Sequence, residues 1–225
     1  DLEDWYAVTL PADGKFTWSI TSHNNQNVYA RLYDSNGSTL LGGSYTTSTA
    51  TYTENNLAAG VYYLRINNFY TSEWAPYTLS TVLEPMNWAA ENSAPNNFAI
   101  SPTLLPSNTP TTGHLNYYNN GTSDTRDWWI IGYDGPGILT LTCELEQNHF
   151  NVAYPSIAYV VYADTGASSL ASGTWTLPST SINLTGLAVG KYYVRLTQVS
   201  GTFGAYRLTA TYTENNQNIK GNATV

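Results

Sequence analysis

The stretch Leu57-Ala-Ala-Gly-Val-Tyr-Tyr-Leu-Arg-Ile66 returns later in the chain as Leu187-Ala-Val-Gly-Lys-Tyr-Tyr-Val-Arg-Leu196. Six of the ten positions are identical. In both copies an apolar or aromatic residue stands at every second position of the second half, which is typical of a β-strand with one buried face. The stretch therefore predicts the same strand in two copies of one structural unit.

Other segments repeat in the same order. Asp1-Leu-Glu-Asp-Trp-Tyr6 returns as Asp124-Thr-Arg-Asp-Trp-Trp129. Phe16-Thr-Trp-Ser-Ile20 matches Leu139-Thr-Leu-Thr-Cys143, and both alternate apolar with polar residues. Turn-forming residues, such as those of Asp34-Ser-Asn-Gly37, separate the predicted strands. Because no segment of helical period appears, the pattern predicts an all-β chain of two tandem antiparallel β-sandwiches.

The composition excludes several classes of protein. Of the 225 residues 14% are aromatic and only 11% are charged, and the formal net charge is -8. Abundant aromatic and β-branched residues argue against intrinsic disorder, and the acidic balance argues against a nucleic-acid partner. The single cysteine excludes a disulfide scaffold. No apolar run is long enough to predict a membrane span.

The order of these motifs resembles that of the bacterial pre-peptidase C-terminal domain. The resemblance rests on the Asp-Trp segments, the Tyr-Tyr-x-Arg segments, Leu32-Tyr-Asp-Ser-Asn-Gly37, and the pair Tyr77-Thr-Leu79 and Tyr206-Arg-Leu208. It implies a jelly-roll-like sandwich on a secreted protein, often non-catalytic and sometimes binding calcium, collagen or polysaccharide. We therefore expect an extracellular or cell-surface location.

The two copies predict a first sandwich at 1–83, a lead-in segment with the second sandwich at 84–214, and a C-terminal tail at 215–225. In the family a lead-in segment with a Gly-x-Leu strand precedes the Asp-Trp strand. The second copy has such a lead-in, which includes Thr112-Gly-His-Leu115, and the first copy has none. We therefore expect the first sandwich to lack one strand.

The tail, Asn215-Asn-Gln-Asn-Ile-Lys-Gly-Asn-Ala-Thr-Val225, is similar to the opening of a further copy. It has several interpretations: it folds back on its own chain, it completes a neighbouring molecule by strand addition, it belongs to a long covalent array, or it plays no part. An unpaired strand edge is a template for another chain, which favours strand addition. A head-to-tail contact that does not close produces a filament or surface layer. The predicted assembly residues are Asn218, Ile219, Ala223 and Val225.

The resemblance also implies a calcium site in the second copy. Its ligands would be Glu84, Asn87 and Asp124, with Asp127 close by. A second, junction site would combine the first copy with a neighbouring tail, through Asp1, Asp4, Glu214 and Asn216. Calcium takes six to eight oxygen ligands, which such side chains provide. The alternative is that Asp4 and Asp127 only hydrogen-bond a turn at the start of their strands.

Nothing in the chain predicts catalysis. Neither a Gly-x-Ser-x-Gly nor a His-Glu-x-x-His motif occurs, and no pair of carboxylates stands out for glycoside hydrolysis. His23, His114 and His149 lack acidic neighbours at useful spacing, and Cys143 takes an inward strand position. We therefore predict a protein that is not an enzyme.

The alternative function is a polysaccharide- or collagen-binding module of a secreted hydrolase, or an adhesin repeat. Sugars stack on exposed aromatic rings, and several aromatic residues take outward or loop positions. Such residues also stabilise sheets across strands or form subunit contacts, so the pattern leaves their role open. The candidate ligand-binding aromatics are Tyr29, Tyr63, Tyr70, Trp74 and Tyr193.

Overall fold

The structure is a computed structural model of the chain. It describes residues 2–70, 74–86, 88, 96, 98–119, 122–135, 137–147, 154–163, 168–199 and 203–214. These residues form strands, turns and loops, and no helix that could span a membrane lies among them. The strands are, in chain order, β1 (Glu3–Leu10), β2 (Gly14–Ser22), β3 (Val28–Tyr33), β4 (Leu40–Thr46), β5 (Thr49–Leu57), β6 (Gly60–Asn68), β7 (Tyr77–Pro85), β8 (Thr103–Leu104), β9 (Thr111–Leu115), β10 (Tyr118–Asn119), β11 (Thr122–Ser123), β12 (Arg126–Tyr133), β13 (Gly137–Leu145), β14 (Ile157–Ala163), β15 (Ser169–Trp175), β16 (Ser179–Leu184), β17 (Gly190–Gln198) and β18 (Gly204–Glu214).

The chain divides into two compact units. The first comprises Asp1–Ala89 together with Tyr117–Ser123, and the second comprises Ala90–Asn116 together with Asp124–Val225. The domain boundaries inferred from the sequence, after residues 83 and 214, stay predictions.

The first unit is a sandwich of two sheets. One sheet has the strand order β1-β6-β3-β4, and the other has the order β11-β10-β5-β2-β7. Alternate residues of both sheets point inward and exclude water from one core. The buried core residues are Leu10, Phe16, Trp18, Ile20, Val28, Ala30, Leu32, Leu57, Tyr62, Leu64 and Ile66.

The second unit is also a sandwich. Its sheets have the orders β15-β14-β17-β12-β8 and β16-β13-β18-β9. Trp129, Cys143 and Tyr206 are among the side chains buried between them. The predicted fold class, an all-β chain built of β-sandwiches, is thus confirmed.

The repeated sequences occupy equivalent places in the two sandwiches. The order β4-β3-β6-β1 of the first corresponds to β15-β14-β17-β12 of the second, and β5-β2-β7 corresponds to β16-β13-β18. Trp5 lies directly opposite Arg65 across one strand pair, and Trp128 lies opposite Arg195 in the same way. The two repeated motifs are therefore neighbours on one sheet face, although about sixty residues separate them in each copy.

A segment from later in the chain completes the second sheet of the first unit. Tyr118 pairs in parallel with Leu57, and the backbone N–H of Ala58 donates to the backbone carbonyl of Tyr118 at 2.9 Å. The Tyr118 hydroxyl donates to Oδ2 of Asp34 at 3.2 Å. Asp34 opens the turn between β3 and β4, where the left-handed φ of 67° at Gly37 suits glycine. Asp34–Gly37 is thus a hairpin turn.

Glu54 is a carboxyl group on the inward side of β5. A Cβ atom at Gly42 would lie 2.2 Å from its Oε1, so the carboxyl group occupies the space that this glycine leaves. Burial raises the pKa of Glu54, because a low-dielectric environment disfavours the charged form. The folded state therefore binds the Glu54 proton more tightly than the unfolded state does.

We expect replacement of Glu54 by glutamine to remove a pH-dependent loss of stability. A carboxyl group with a raised pKa contributes stability below its ordinary value of 4.5, and that contribution disappears as the pH rises through the folded-state pKa. The difference in the free energy of unfolding is measured by denaturant unfolding of both proteins between about pH 4 and pH 7. The stability of Glu54→Gln relative to the original chain should rise with pH. Parallel curves would contradict the prediction.

Candidate functional site: the open side of the first sandwich

A groove runs along one side of the first sandwich, between β1 and β7. These are edge strands of its two sheets, and within the described residues no strand pairs with the outer edge of either. The groove has a volume of about 710 Å³. It therefore combines apolar side chains with the unpaired backbone groups of two strand edges. The lining residues are Tyr6, Ala7, Val8, Thr9, Leu64, Tyr77, Thr78, Leu79 and Thr81.

The second sandwich has additional strands at the same place. β8 pairs in parallel with β12, the counterpart of β1, and β9 pairs antiparallel with β18, the counterpart of β7. Leu105, which follows β8, and Leu115 of β9 are buried in the core. The strands β8 and β9 thus cover the side that is open in the first sandwich.

The exposure of equivalent side chains shows the consequence of the missing cover. Tyr6 is 42% exposed, whereas its counterpart Trp129 is 0% exposed. Leu79 is half-buried, and its counterpart Leu208 is fully buried. Among the described residues, the first sandwich therefore exposes apolar side chains whose counterparts the second sandwich buries.

One pair of residues beside the groove repeats in both sandwiches. The Tyr77 hydroxyl donates to Oδ2 of Asp4 at 2.6 Å, and the Tyr206 hydroxyl donates to Oδ2 of Asp127. Burial raises the pKa of Tyr77 and of Tyr206, and the nearby carboxylate raises each pKa further, because two negative charges would otherwise meet. Each tyrosine is thus a neutral donor that anchors the aspartate of the Asp-Trp motif from the opposite sheet.

The described candidate calcium ligands have protein partners. Oε1 of Glu84, on β7 of the first unit, lies 2.6 Å from the Lys15 ammonium group. Oδ2 of Asp124, in the second unit, lies 3.9 Å from Nε2 of His114, and both side chains are buried. Among the described residues, no group of three or more His, Cys, Asp and Glu side chains could hold a metal ion.

Several residues of the predicted sites lie outside the part of the chain that the structure describes. Calcium binding and the assembly role of the tail therefore stay predictions. These residues are Asp1, Asn87, the side chain of Glu214, Asn216, Asn218, Ile219, Ala223 and Val225.

The candidate aromatic residues are distributed over both units. Tyr29, on β3, and Tyr70, after β6, each contact Phe69, with ring centroids 5.4 and 4.8 Å apart respectively. Tyr63 lies on the outward side of β6, and Trp74 is an exposed residue before β7. Tyr193 belongs to the second unit, where it pairs with Ile130 and with Tyr162.

Sequence reasoning missed three residues around Tyr29, namely Arg31, Tyr45 and Phe69. The hairpin turn contained a usable signal, because a hairpin centred on Gly37 places Tyr45 opposite Tyr29. The packing of Phe69 against both rings had no local signal. It depends on β6 lying beside β3, which only the sheet order decides.

The structure agrees with the sequence prediction for Cys143 and differs from it for His114. Cys143 is a free, buried residue at the inward position that the alternation predicted. Burial raises the pKa of its thiol, which disfavours the nucleophilic thiolate form. His114 has an acidic neighbour after all, since Asp124 lies ten residues further along the chain and faces it in the fold.

The chain matches no protein-family model, and it matches none of the curated proteins. Among solved structures it is similar to the pre-peptidase C-terminal domain of a collagenase from Bacillus anthracis, with 16% identity over 48% of this chain and 92% of that chain and a TM-score of 0.38.

Two further solved structures are similar over most of the chain. One contains the M60 catalytic domain with two CBM51 domains of Clostridium perfringens ZmpB, with 8% identity, coverage of 93% of this chain and 33% of that one, and a TM-score of 0.30. The other is the tandem CBM22 domain of Paenibacillus barcinonensis Xyn10C, with 10% identity, coverage of 92% and 75%, and a TM-score of 0.25. These similarities are too weak to assign a family or a function.

Proposed function

We propose that the protein is a non-enzymatic extracellular structural protein that assembles head-to-tail. Residues 215–225 of one molecule would add as a strand to the open side of the first sandwich of the next. The observation that carries the proposal is the groove between β1 and β7, whose counterpart in the second sandwich is covered by the lead-in segment. The extracellular location rests on the sequence resemblance described above.

The second sandwich supplies a template for the donated strand. In β9, Gly113 lies opposite Tyr206, and a Cβ atom at Gly113 would lie 2.5 Å from the Tyr206 hydroxyl oxygen. Only glycine leaves room for this tyrosine. The counterpart of Tyr206 is Tyr77, at the edge of the groove, and the tail contains one glycine, Gly221. We therefore align Gly221 with Tyr77.

This register places the apolar residues of the tail on one face. Alternate residues of a β-strand point to the same face. In an extended tail, the side chains of Ile219, Ala223 and Val225 would therefore lie on the same face as Gly221, and that of Lys220 on the opposite face. Ile219 then lies at the level of Leu79, a groove residue. Burial of Ile219 would stabilise the junction by roughly 1.5–3 kcal/mol if complete. Asn218 would point to the other side.

Main-chain hydrogen bonds to the free edge of β7 would add to this affinity, as in other cases of strand addition. Because donor and acceptor are different surfaces of the same chain, the contact is heterologous. A heterologous contact that does not close into a ring produces a linear polymer. A filament is therefore the assembly that this junction supports best.

We expect Gly221→Val to abolish assembly, as deletion of residues 215–225 should, because a valine side chain at this position would collide with Tyr77. Lys220→Val is the matched control. It makes the same gain in β-propensity on the opposite face of the strand, and it should leave assembly intact. Sedimentation velocity and electron microscopy of the full chain and the variants measure polymer length.

A mixed disulfide distinguishes the possible partners of the tail. Lys220 lies opposite Thr78 in the proposed register, so chains with Lys220→Cys and chains with Thr78→Cys should form cross-linked dimers on mixing. Thr53→Cys, at an exposed position of β5, is the control that should not cross-link. Cys143 does not interfere, because it is buried. A chain that carries both Lys220→Cys and Thr78→Cys and forms the disulfide only within one molecule would overturn the proposal. So would a Gly221→Val variant that still polymerises.

A further inference from the structure

The outward faces of the two sandwiches share one constellation of side chains. In the first, Trp5 packs against Tyr33 with ring centroids 5.4 Å apart, and the Arg65 guanidinium lies 5.6 Å from the Trp5 ring. In the second, the Trp128 and Tyr162 rings lie 5.6 Å apart, with the Arg195 guanidinium 5.8 Å from Trp128. Because both repeats carry it, this constellation serves the fold that they share.

A second group of side chains occurs on the first sandwich alone. We call this group the aromatic shelf, and its residues are Tyr29, Arg31, Tyr45, Phe69 and Tyr70. The positions equivalent to the first four in the strand registers of the second sandwich hold small or aliphatic residues. These are Ala158, Val160, Thr174 and Val199. The fold therefore does not require the shelf.

The rings of the shelf form a continuous exposed surface. Tyr29 and Phe69 stack with their planes 15° apart, and Tyr45 meets both rings edge-on at 5.6 Å. Tyr45, Phe69 and Tyr70 are 53%, 41% and 51% exposed. A contiguous exposed aromatic patch of this kind marks an interaction site more often than isolated apolar residues do.

The shelf carries one cation. Cζ of Arg31 lies over the Tyr29 ring at 3.7 Å from its centroid, a cation–π contact that holds the guanidinium beside the exposed rings. Arg65 on the neighbouring strand pairs with Glu3, at 2.7 Å from Nε to Oε2, but Arg31 has no carboxylate partner among the described residues. The residue directly opposite Arg31 on β4 is Gly43, which has no side chain.

We infer that the aromatic shelf binds a polysaccharide whose sugar rings carry carboxylate groups. The apolar face of a sugar ring would stack on the exposed rings, whose π-faces are electron-rich. The sugar carboxylate would accept two parallel hydrogen bonds from the Arg31 guanidinium, a geometry that a carboxylate fits well. The inference does not depend on the proposed assembly, because the shelf and the groove use different residues.

The test compares the mobility of the full chain in native gels that contain polygalacturonate, alginate or hyaluronate with its mobility in gels that contain dextran. At physiological salt, where the Debye length is about 8 Å, distant carboxylates of this acidic chain are screened. We expect retardation by at least one of the carboxylated polymers and none by dextran. Arg31→Gln and Tyr45→Ala should each weaken binding about tenfold or more, a loss of about 1.4 kcal/mol.

Lys191→Gln is the matched control, since it removes one exposed positive charge from the second sandwich and should bind as the original chain does. Arg31→Gln should have the same melting temperature and the same sedimentation profile as the original chain. These two measurements show that a loss of binding is not caused by unfolding or by failed assembly. Equal retardation by dextran, binding to none of the three carboxylated polymers, or undiminished binding by Arg31→Gln would overturn the inference.

Discussion

Replacement of Trp129 by alanine is expected to destabilise the second sandwich by about 3–5 kcal/mol, the usual cost of removing a large buried aromatic side chain. Trp129 is fully buried between the sheets, and its Nε1–H donates to the Tyr206 hydroxyl at 2.9 Å. The same change therefore opens a cavity and removes the donor to a buried tyrosine. A loss of this size is a large part of the total stability of a domain.

The equivalent change in the first sandwich, Tyr6→Ala, is the matched control. Tyr6 is 42% exposed, and its hydroxyl oxygen lies 2.6 Å from that of Tyr77. We expect a cost of about 1 kcal/mol in the unassembled chain. Because two units need not unfold together, hydrogen exchange read separately for each sandwich is the suitable measurement. Equal losses from both substitutions would contradict the difference in cover between the two sandwiches.

Gly43→Ala is expected to destabilise the first sandwich nearly as much. Gly43 has a φ of 98°, which an alanine adopts only with strain of about 1–3 kcal/mol. A Cβ atom there would also lie 2.0 Å from the backbone oxygen of Ala30 on the neighbouring strand. Since a backbone atom cannot rotate away, β3 and β4 would have to separate, at a further cost of about 1–3 kcal/mol.

Gly37→Ala is the control that measures the strain of a left-handed backbone conformation without a steric clash. Gly37 also has a positive φ, 67°, but no atom lies within 4 Å of its would-be Cβ. Only the left-handed conformation then counts, at about 1–2 kcal/mol. Thermal unfolding should rank Gly43→Ala well below Gly37→Ala in stability. If the two variants melt together, β4 does not approach β3 as closely as the structure shows.

The buried faces of the strands were predictable from short-range sequence. Phe16, Trp18 and Ile20 alternate with polar residues, and all three are buried in the core of the first unit. The same alternation placed Cys143 inside the second unit. Such predictions succeed because successive side chains of a strand point to opposite faces, so that five or six residues determine which side is buried.

The composition of the candidate sites was less predictable. The chain separates Arg31 from Tyr45 and Phe69, and their contact requires β4, β3 and β6 to lie side by side in that order. The sequence predicts that Asp127 lies near a calcium site or caps a turn, but it gives no sign that Asp127 also accepts a hydrogen bond from Tyr206, seventy-nine residues away. Interactions across a sheet or between sheets depend on strand order, which the local period of two does not contain.

By itself, the sequence determined that this chain repeats one β-sandwich unit and which strands the two copies share. These conclusions follow from periodicity and from the order of the motifs, which are properties of the chain alone. The tertiary structure decided that a groove lies between the edge strands β1 and β7, and that five outward residues of the first sandwich form one aromatic shelf. Both depend on which strands become neighbours, and that is settled only when the sheets pair and pack around a core.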